Sequence, residues 1–136
     1  MSFILDSSVA LAWLLPDEGN DAVDALADRL AQASAHAPPI WPLEVRNAML
    51  VAARRERITH ADVDRLLEAL TALPVEIDHD GGDEALSRIV ALARRFGLTT
   101  YDAAYVELAE RRGLPLATLD ARLAKACKVL KIPVLP

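Results

Sequence analysis

Four carboxylates occupy positions from which an α/β chain can do chemistry: Asp6, Glu44, Asp102 and Asp120. Asp6 follows the apolar run Phe3-Ile4-Leu5, Glu44 stands just after Trp41-Pro42, and Asp120 ends Thr118-Leu119-Asp120. Asp102 lies within Tyr101-Asp102-Ala103-Ala104-Tyr105. Carboxylates gathered at one edge of a parallel sheet make an oxygen-rich site suited to Mg²⁺ or Mn²⁺ rather than Zn²⁺. A site of that kind suits hydrolysis of a phosphodiester.

Each residue also has a plainer role open to it. Asp is a preferred helix N-cap, contributing about 1 kcal/mol, and helix starts are where caps are needed. Glu44 would sit in the first turn of its helix, where the dipole favours an acid, but Trp41 offers no hydroxyl for a capping box. Thr99 and Thr100 are available as caps beside Asp102. Bringing the carboxylates together without a cation is unfavourable, since two at about 4 Å repel by roughly 4 kcal/mol near a protein surface. Ser7 and Ser8 could supply hydroxyls beside the acids. His36, His60 and His79 show no metal-ligand spacing, and there is neither a Gly-x-Ser-x-Gly context nor a Gly-rich phosphate loop.

The elements that must position these residues can be read from periodicity. Residues 2–5 form a short buried strand, and a helix runs from Ser7 to the breaker Pro16-Asp17-Glu18-Gly19-Asn20. Helices are expected over 21–33, from Pro42 with Val45, Ala48, Met49 and Ala52 inward, and after a Thr59 cap with Val63, Leu66, Leu67 and Leu70 inward. Further helices are expected over 83–96, from Thr99 or Thr100 to Arg112, and over 121–130, with Gly97 and Gly113 as natural helix ends. Extended segments fall at 36–40, 74–78, 114–118 and 132–135. Strands alternate with helices and no two are joined by a hairpin-length turn. The fold expected is therefore α/β, a parallel sheet covered on both faces, in one domain over 1–136.

The chain has 53% hydrophobic residues, one cysteine and a net charge of −5. The composition excludes a disordered chain, and a lone Cys127 excludes an internal disulfide framework and fits a reducing cytosol. Cys127 shares helical spacing with Leu123, Ala126 and Leu130 and reads as a small core residue. No export signal is visible at the start, and a soluble, cytoplasmic protein is the expectation. Global acidity gives no argument for nucleic-acid binding. Arginines nevertheless cluster at 54, 55 and 57, at 94 and 95, and at 111 and 112, and Lys125, Lys128 and Lys131 form a stripe. Each cluster alone reads as a solvated helix face; jointly they could hold phosphates around an acidic site.

Four segments in order resemble the motifs of PIN-domain ribonucleases, specifically VapC-type toxins: Leu5-Asp6-Ser7-Ser8-Val9, Glu44 with Asn47, residues 98–105, and Thr118-Leu119-Asp120-Ala121-Arg122-Leu123. The resemblance spans essentially the whole chain. It implies a PIN-like twisted parallel sheet with helices on both sides and a Mg²⁺- or Mn²⁺-dependent endoribonuclease. Carried over by motif, Asp6 and Asp102 match the principal metal ligands. Glu44 and Asp120 match acidic positions acting directly or through water, and Ser7 and Thr118 match flanking hydroxyls. The resemblance also implies a VapB-like antitoxin as partner and a homodimer within the toxin–antitoxin complex. The apolar faces around Leu66, Leu67 and Leu70 and around Val45, Met49 and Ala52 serve equally as contact surface or as core. Two other readings stand beside it. One is a receiver-like or phosphatase-like domain using Asp6, which lacks a suitably placed Lys; the other is a PIN-like module that binds RNA or protein without cutting.

Overall fold

The computed structural model describes residues 1–16 and 19–136. Asp17 and Glu18, within the expected breaker, lie outside the described residues. The described residues form five strands and seven helices in the order β1 (Phe3–Leu5), α1 (Ser7–Leu14), α2 (Asp21–Asp28), β2 (Ala35–Ala37), α3 (Trp41–Arg54), α4 (His60–Ala72), β3 (Val75–Ile77), α5 (Gly82–Phe96), α6 (Thr100–Arg112), β4 (Leu116–Ala117), α7 (Ala121–Val129) and β5 (Val134–Leu135).

All strand pairs are parallel, in the order β3-β2-β1-β4-β5. The central strand β1 aligns Ile4 with His36 on one side and with Leu116 on the other. A strand in that position must be apolar on both faces, and Phe3, Ile4 and Leu5 are fully buried. From β1 the chain winds outward to β3, then returns to the other side of β1 for β4 and β5. The reversal puts a topological switch point between the ends of β1 and β4, where open parallel sheets place their ligands. Helices α1 to α4 pack among themselves, and α5, α6 and α7 form a second group. Right-handed crossovers in opposite directions put such groups on opposite faces of the sheet.

Local chemistry explains most element ends. Thr59 and Asp62 form a reciprocal capping box at the start of α4. Gly97 and Gly113 end α5 and α6 with φ +64°, a left-handed backbone that favours glycine. Some boundaries move from the sequence reading. The helix expected over 21–33 stops at Asp28 and tightens into a 3₁₀ turn over Arg29–Ala31, leaving Leu30 only partly buried. The extended segment expected over 36–40 pairs only over Ala35–Ala37, because a turn closes from Pro38 to Trp41. Only two residues pair in each of β4 and β5.

The apolar faces left open between core and contact surface are core. Val45, Met49, Ala52, Leu66 and Leu70 are buried, and Leu67 packs partly buried against them. Cys127 is buried, and burial pushes its thiol up to about 11, which leaves it an inert core residue. No helix among the described residues is long and apolar enough to cross a membrane.

Candidate functional site

Asp6 closes β1 and holds the N-cap position of α1, yet its side chain makes no capping hydrogen bond. Its carboxylate instead accepts hydroxyl protons from Ser8 (2.7 Å) and from Thr118 (2.7 Å), 112 residues away at the end of β4. The same two hydroxyls accept backbone N–H groups: Leu119 donates to Ser8 Oγ (2.9 Å) from across the switch point, and Asp120 donates to Thr118 Oγ1 (3.0 Å) within its own turn. With their lone pairs so engaged, each hydroxyl has its proton directed at Asp6. Of the two serines it is Ser8 that makes the short contact; Ser7 Oγ stands at 3.5 Å, a weak interaction.

Glu44 lies deeper in its helix than the sequence implied. Helix α3 starts at Trp41 with Ile40 as its N-cap, so Glu44 is at the fourth helical position, outside any capping box. Its carboxylate accepts a 2.5 Å hydrogen bond from the Tyr105 hydroxyl. Tyr105 is fully buried, and burial together with the Glu44 charge holds its phenol far above the usual range, so it acts as a donor. This residue carried no assigned role in the sequence. Its signal was there: Tyr105 follows Asp102 by three positions, on the same side of α6.

Asp102 is half-buried and is not the cap of α6, since Thr99 accepts its backbone N–H at 3.0 Å. Asp120 does cap: its carboxylate accepts N–H groups from Arg122 (2.8 Å) and Leu123 (3.3 Å) at the start of α7. The capping role open to Asp6, Asp102 and Asp120 thus describes Asp120 and fails for the other two, while Glu44 keeps a place in the first turn of α3 where the helix dipole favours an acid.

Electrostatics tie the four positions together. Burial raises Asp6 above the usual carboxylate range, the Ser8 and Thr118 hydroxyls partly offset this, and the Asp102 charge adds to it. Burial also raises Glu44 against the Tyr105 hydrogen bond, and the charges of Asp6 and Asp102 push it further. Asp102 is raised by burial and by Asp120, with Thr99 and Arg122 acting in the opposite sense. No cation pairs directly with Asp6 or Glu44 among the described residues; Arg122 is the one basic residue whose charge bears on Asp102.

The donor set is entirely oxygen, which fits a hard divalent ion. Among the described residues no three acidic, His or Cys side chains close around a single point tightly enough to hold an ion as they stand. His36 is buried in β2 with its ring nitrogen 3.0 Å from Arg112, remote from any ligand role.

The arginines at 111 and 112 do not flank this corner. Arg111 forms ion pairs with Glu107 (2.7 Å) and with Asp78 (3.0 Å), and Arg112 approaches Asp78 at 3.4 Å. Asp78, just after β3, feels burial most, but the Arg111 hydrogen bond, the Asp80 N–H and both guanidinium charges bring it below the usual range.

Comparison with known proteins identifies the family. A family profile described as "PIN domain" matches residues 3–129. The chain is similar to Ribonuclease VapC3 of Pyrobaculum aerophilum, 31% identical over 133 residues, which are 98% of this chain and 100% of the relative. Ribonuclease VapC3 of Mycobacterium tuberculosis is 41% identical over 109 residues, covering 79% of this chain and 75% of that one. In fold the chain is similar to the solved VapBC2 of Rickettsia felis bound to a DNA fragment from their promoter, with a TM-score of 0.68 at 12% identity over 98% of this chain and 97% of that one. The profile over nearly the whole chain, with relatives at this identity and coverage, shows that the chain belongs to the PIN-domain family as a VapC-type member.

Proposed function

We propose that this protein is a metal-dependent endoribonuclease, the toxin of a type II toxin–antitoxin pair, and that Asp6, Glu44, Asp102 and Asp120 are its catalytic acids. One observation carries the reading. Asp6, Glu44 and Asp102 converge from β1, α3 and α6 with all three carboxyls raised above their ordinary values, and each feels the charge of another. Repulsion of that kind disfavours the metal-free folded protein and is relieved by a cation.

Asp6 and Asp102 would hold Mg²⁺, or Mn²⁺, with Glu44 and Asp120 contributing directly or through water. When bound, such an ion supplies a water of lowered pKa and stabilises charge on the phosphoryl oxygens. The chain's own groups do the positioning. Ser8 and Thr118 hold Asp6 at the end of β1, and Tyr105 orients Glu44. Asp120, engaged in capping α7, has one carboxylate oxygen committed to two N–H groups. Ser7 sits beside Asp6 as a weaker contact.

A VapB-like antitoxin is the partner that membership among VapC-type proteins supports, with a homodimer inside the complex. Leu86 and Val90, exposed one turn apart on α5, offer an apolar face for assembly. A cytoplasmic location is part of the proposal, supported by a single free, buried cysteine. The whole chain, 1–136, acts as one domain, because the site draws on residues from both of its ends.

The test is cleavage of total cellular RNA by protein freed of any co-purifying partner, with Mg²⁺ or Mn²⁺, with EDTA, and with Asp102→Asn. Metal-dependent cuts at discrete positions that vanish in the variant are expected. Full cutting by purified Asp102→Asn would sink the assignment, and folded, metal-binding protein that cuts no RNA would leave a binding module in its place.

A further inference from the structure

A concave seat adjoins the acidic corner, and its lining differs in kind. Ile40, the N-cap of α3, and Leu43, Glu44 and Asn47 stand at i, i+3, i+4 and i+7 on one side of that helix, and with Tyr101 from the start of α6 they line a wide, open depression of about 360 Å³. Leu43 is 66% and Tyr101 58% exposed, unusual for large apolar groups placed in a cleft. Among the described residues neither the Tyr101 hydroxyl nor the Asn47 amide has a hydrogen-bond partner. The lining includes no Lys, Arg or His, and its one charge is the Glu44 carboxylate.

We infer that this seat takes one unstacked nucleobase of the RNA, next to the phosphate that is cut, with Tyr101 as its stacking platform and Asn47 and Glu44 reading its edge. The inference rests on the ribonuclease reading and deepens it by naming where specificity resides. Three chemical facts select a base over other parts of the substrate. A cleft with an anion and no cation repels a phosphate. An exposed aromatic face and a leucine suit a flat, weakly polar ring, the usual way proteins hold single-stranded RNA. An amide that both donates and accepts, beside a carboxylate that only accepts, matches a base edge carrying an exocyclic amine.

Position joins the seat to the chemistry. Glu44 belongs to both the seat and the acidic corner, and Tyr101 precedes Asp102 in the chain. A base held there sets which linkage reaches the carboxylates. A peptide side chain from an antitoxin is the competing occupant, and the test separates the two.

Fluorescent short single-stranded RNAs of each base are titrated in EDTA into wild type, Tyr101→Ala, Tyr101→Trp and Asn47→Ala, and cuts in total RNA are mapped with metal for each protein. Tyr101→Ala is expected to weaken binding of the preferred RNA and raise KM by about ten- to a hundredfold, with kcat nearly kept. Tyr101→Trp should restore both, and Asn47→Ala should change which base flanks the cut. Unchanged RNA binding and unchanged cut positions in Tyr101→Ala would overturn the seat. So would normal RNA cutting by Tyr101→Ala joined to loss of inhibition by the antitoxin, which would assign the cleft to a peptide. Wild type that binds RNA through Tyr101 but cuts none would keep the seat while removing the ribonuclease reading.

Discussion

Helix α6 serves two acidic clusters that are chemically opposite. At its first turn Asp102, with Asp6 and Glu44, forms a corner whose carboxyls are raised by burial and by neighbouring acids, Asp102 acting on Asp6 and Glu44 and Asp120 on Asp102. Toward its last turn Glu107, Arg111 and Arg112 meet Asp78, a carboxylate equally buried and likewise placed just after a parallel strand, but held below its usual range by two guanidiniums. A cavity of about 270 Å³ lies beside the second cluster too, so concavity does not distinguish them. What distinguishes them is whether the protein supplies the positive charge. The Asp78 cluster is neutralised from within and has a structural role. The Asp6 corner is left for something outside the chain to neutralise, which is the condition of a site.

The sharpest break of this comparison is activity. Asp6→Asn or Asp102→Asn should lower RNA cleavage by about 10³-fold or more, whereas Asp78→Asn, assayed well below its melting temperature, should keep most of it. Cleavage-rate measurements on the three variants decide it, and an inactive but folded Asp78→Asn would erase the distinction.

Stability should show the reverse order. Asp78→Ala leaves Arg111 without its buried partner and should cost about 2–3 kcal/mol in urea denaturation, below the largest values for such pairs because the guanidinium remains about a third exposed. Asp102→Asn should instead raise the melting temperature of metal-free protein by a few degrees, as removal of one of three repelling charges requires. Between these lies Tyr105→Phe. It keeps the buried ring but removes the Glu44 hydrogen bond, and should reduce cleavage by about tenfold with a loss near 1 kcal/mol in stability.

The smallest effect is on pH dependence, and its sign differs between clusters. A carboxyl raised in the folded state binds more protons there than in the unfolded chain, so its contribution falls as pH rises through the interval between the two pKa values. Metal-free protein should therefore gain stability as pH drops from neutral and Asp6, Glu44 and Asp102 take up protons. Asp78 works oppositely: its contribution is present above the ordinary aspartate range and is lost as pH falls through its depressed value. Thermal melts across pH should rise and then fall on acidification, with the upper limb flattened in Asp102→Asn. A monotonic loss of stability from neutral pH downward would contradict the assignment of the corner.

The parts of this pattern that were legible in the sequence were those set by local rules. Asp6 and Asp102 could be placed because an apolar run ends before one and a threonine cap precedes the other. Gly97, Gly113 and the Thr59–Asp62 box marked helix ends for reasons confined to a few residues. What was not legible depends on how distant elements meet. Ser8 rather than Ser7 serves Asp6 because the 119–120 backbone arrives on its side of the switch point. The neutralising role of Arg111 needs α6 to reach Asp78 across 33 residues of chain. The Tyr105 hydroxyl reaches Glu44 only because α6 packs beside α3 across 61 residues of chain.

The bond between Thr118 and Asp6 has a consequence for the moment of synthesis. Strand β1 is made well before its β4 neighbour, and the hydroxyl that fixes Asp6 follows it by 112 residues of chain. Until then the central strand has one open edge and the acidic corner lacks a wall. The acidic corner of a nascent chain is therefore completed not when Asp6 is made but only once Thr118 has followed and β4 has paired with β1.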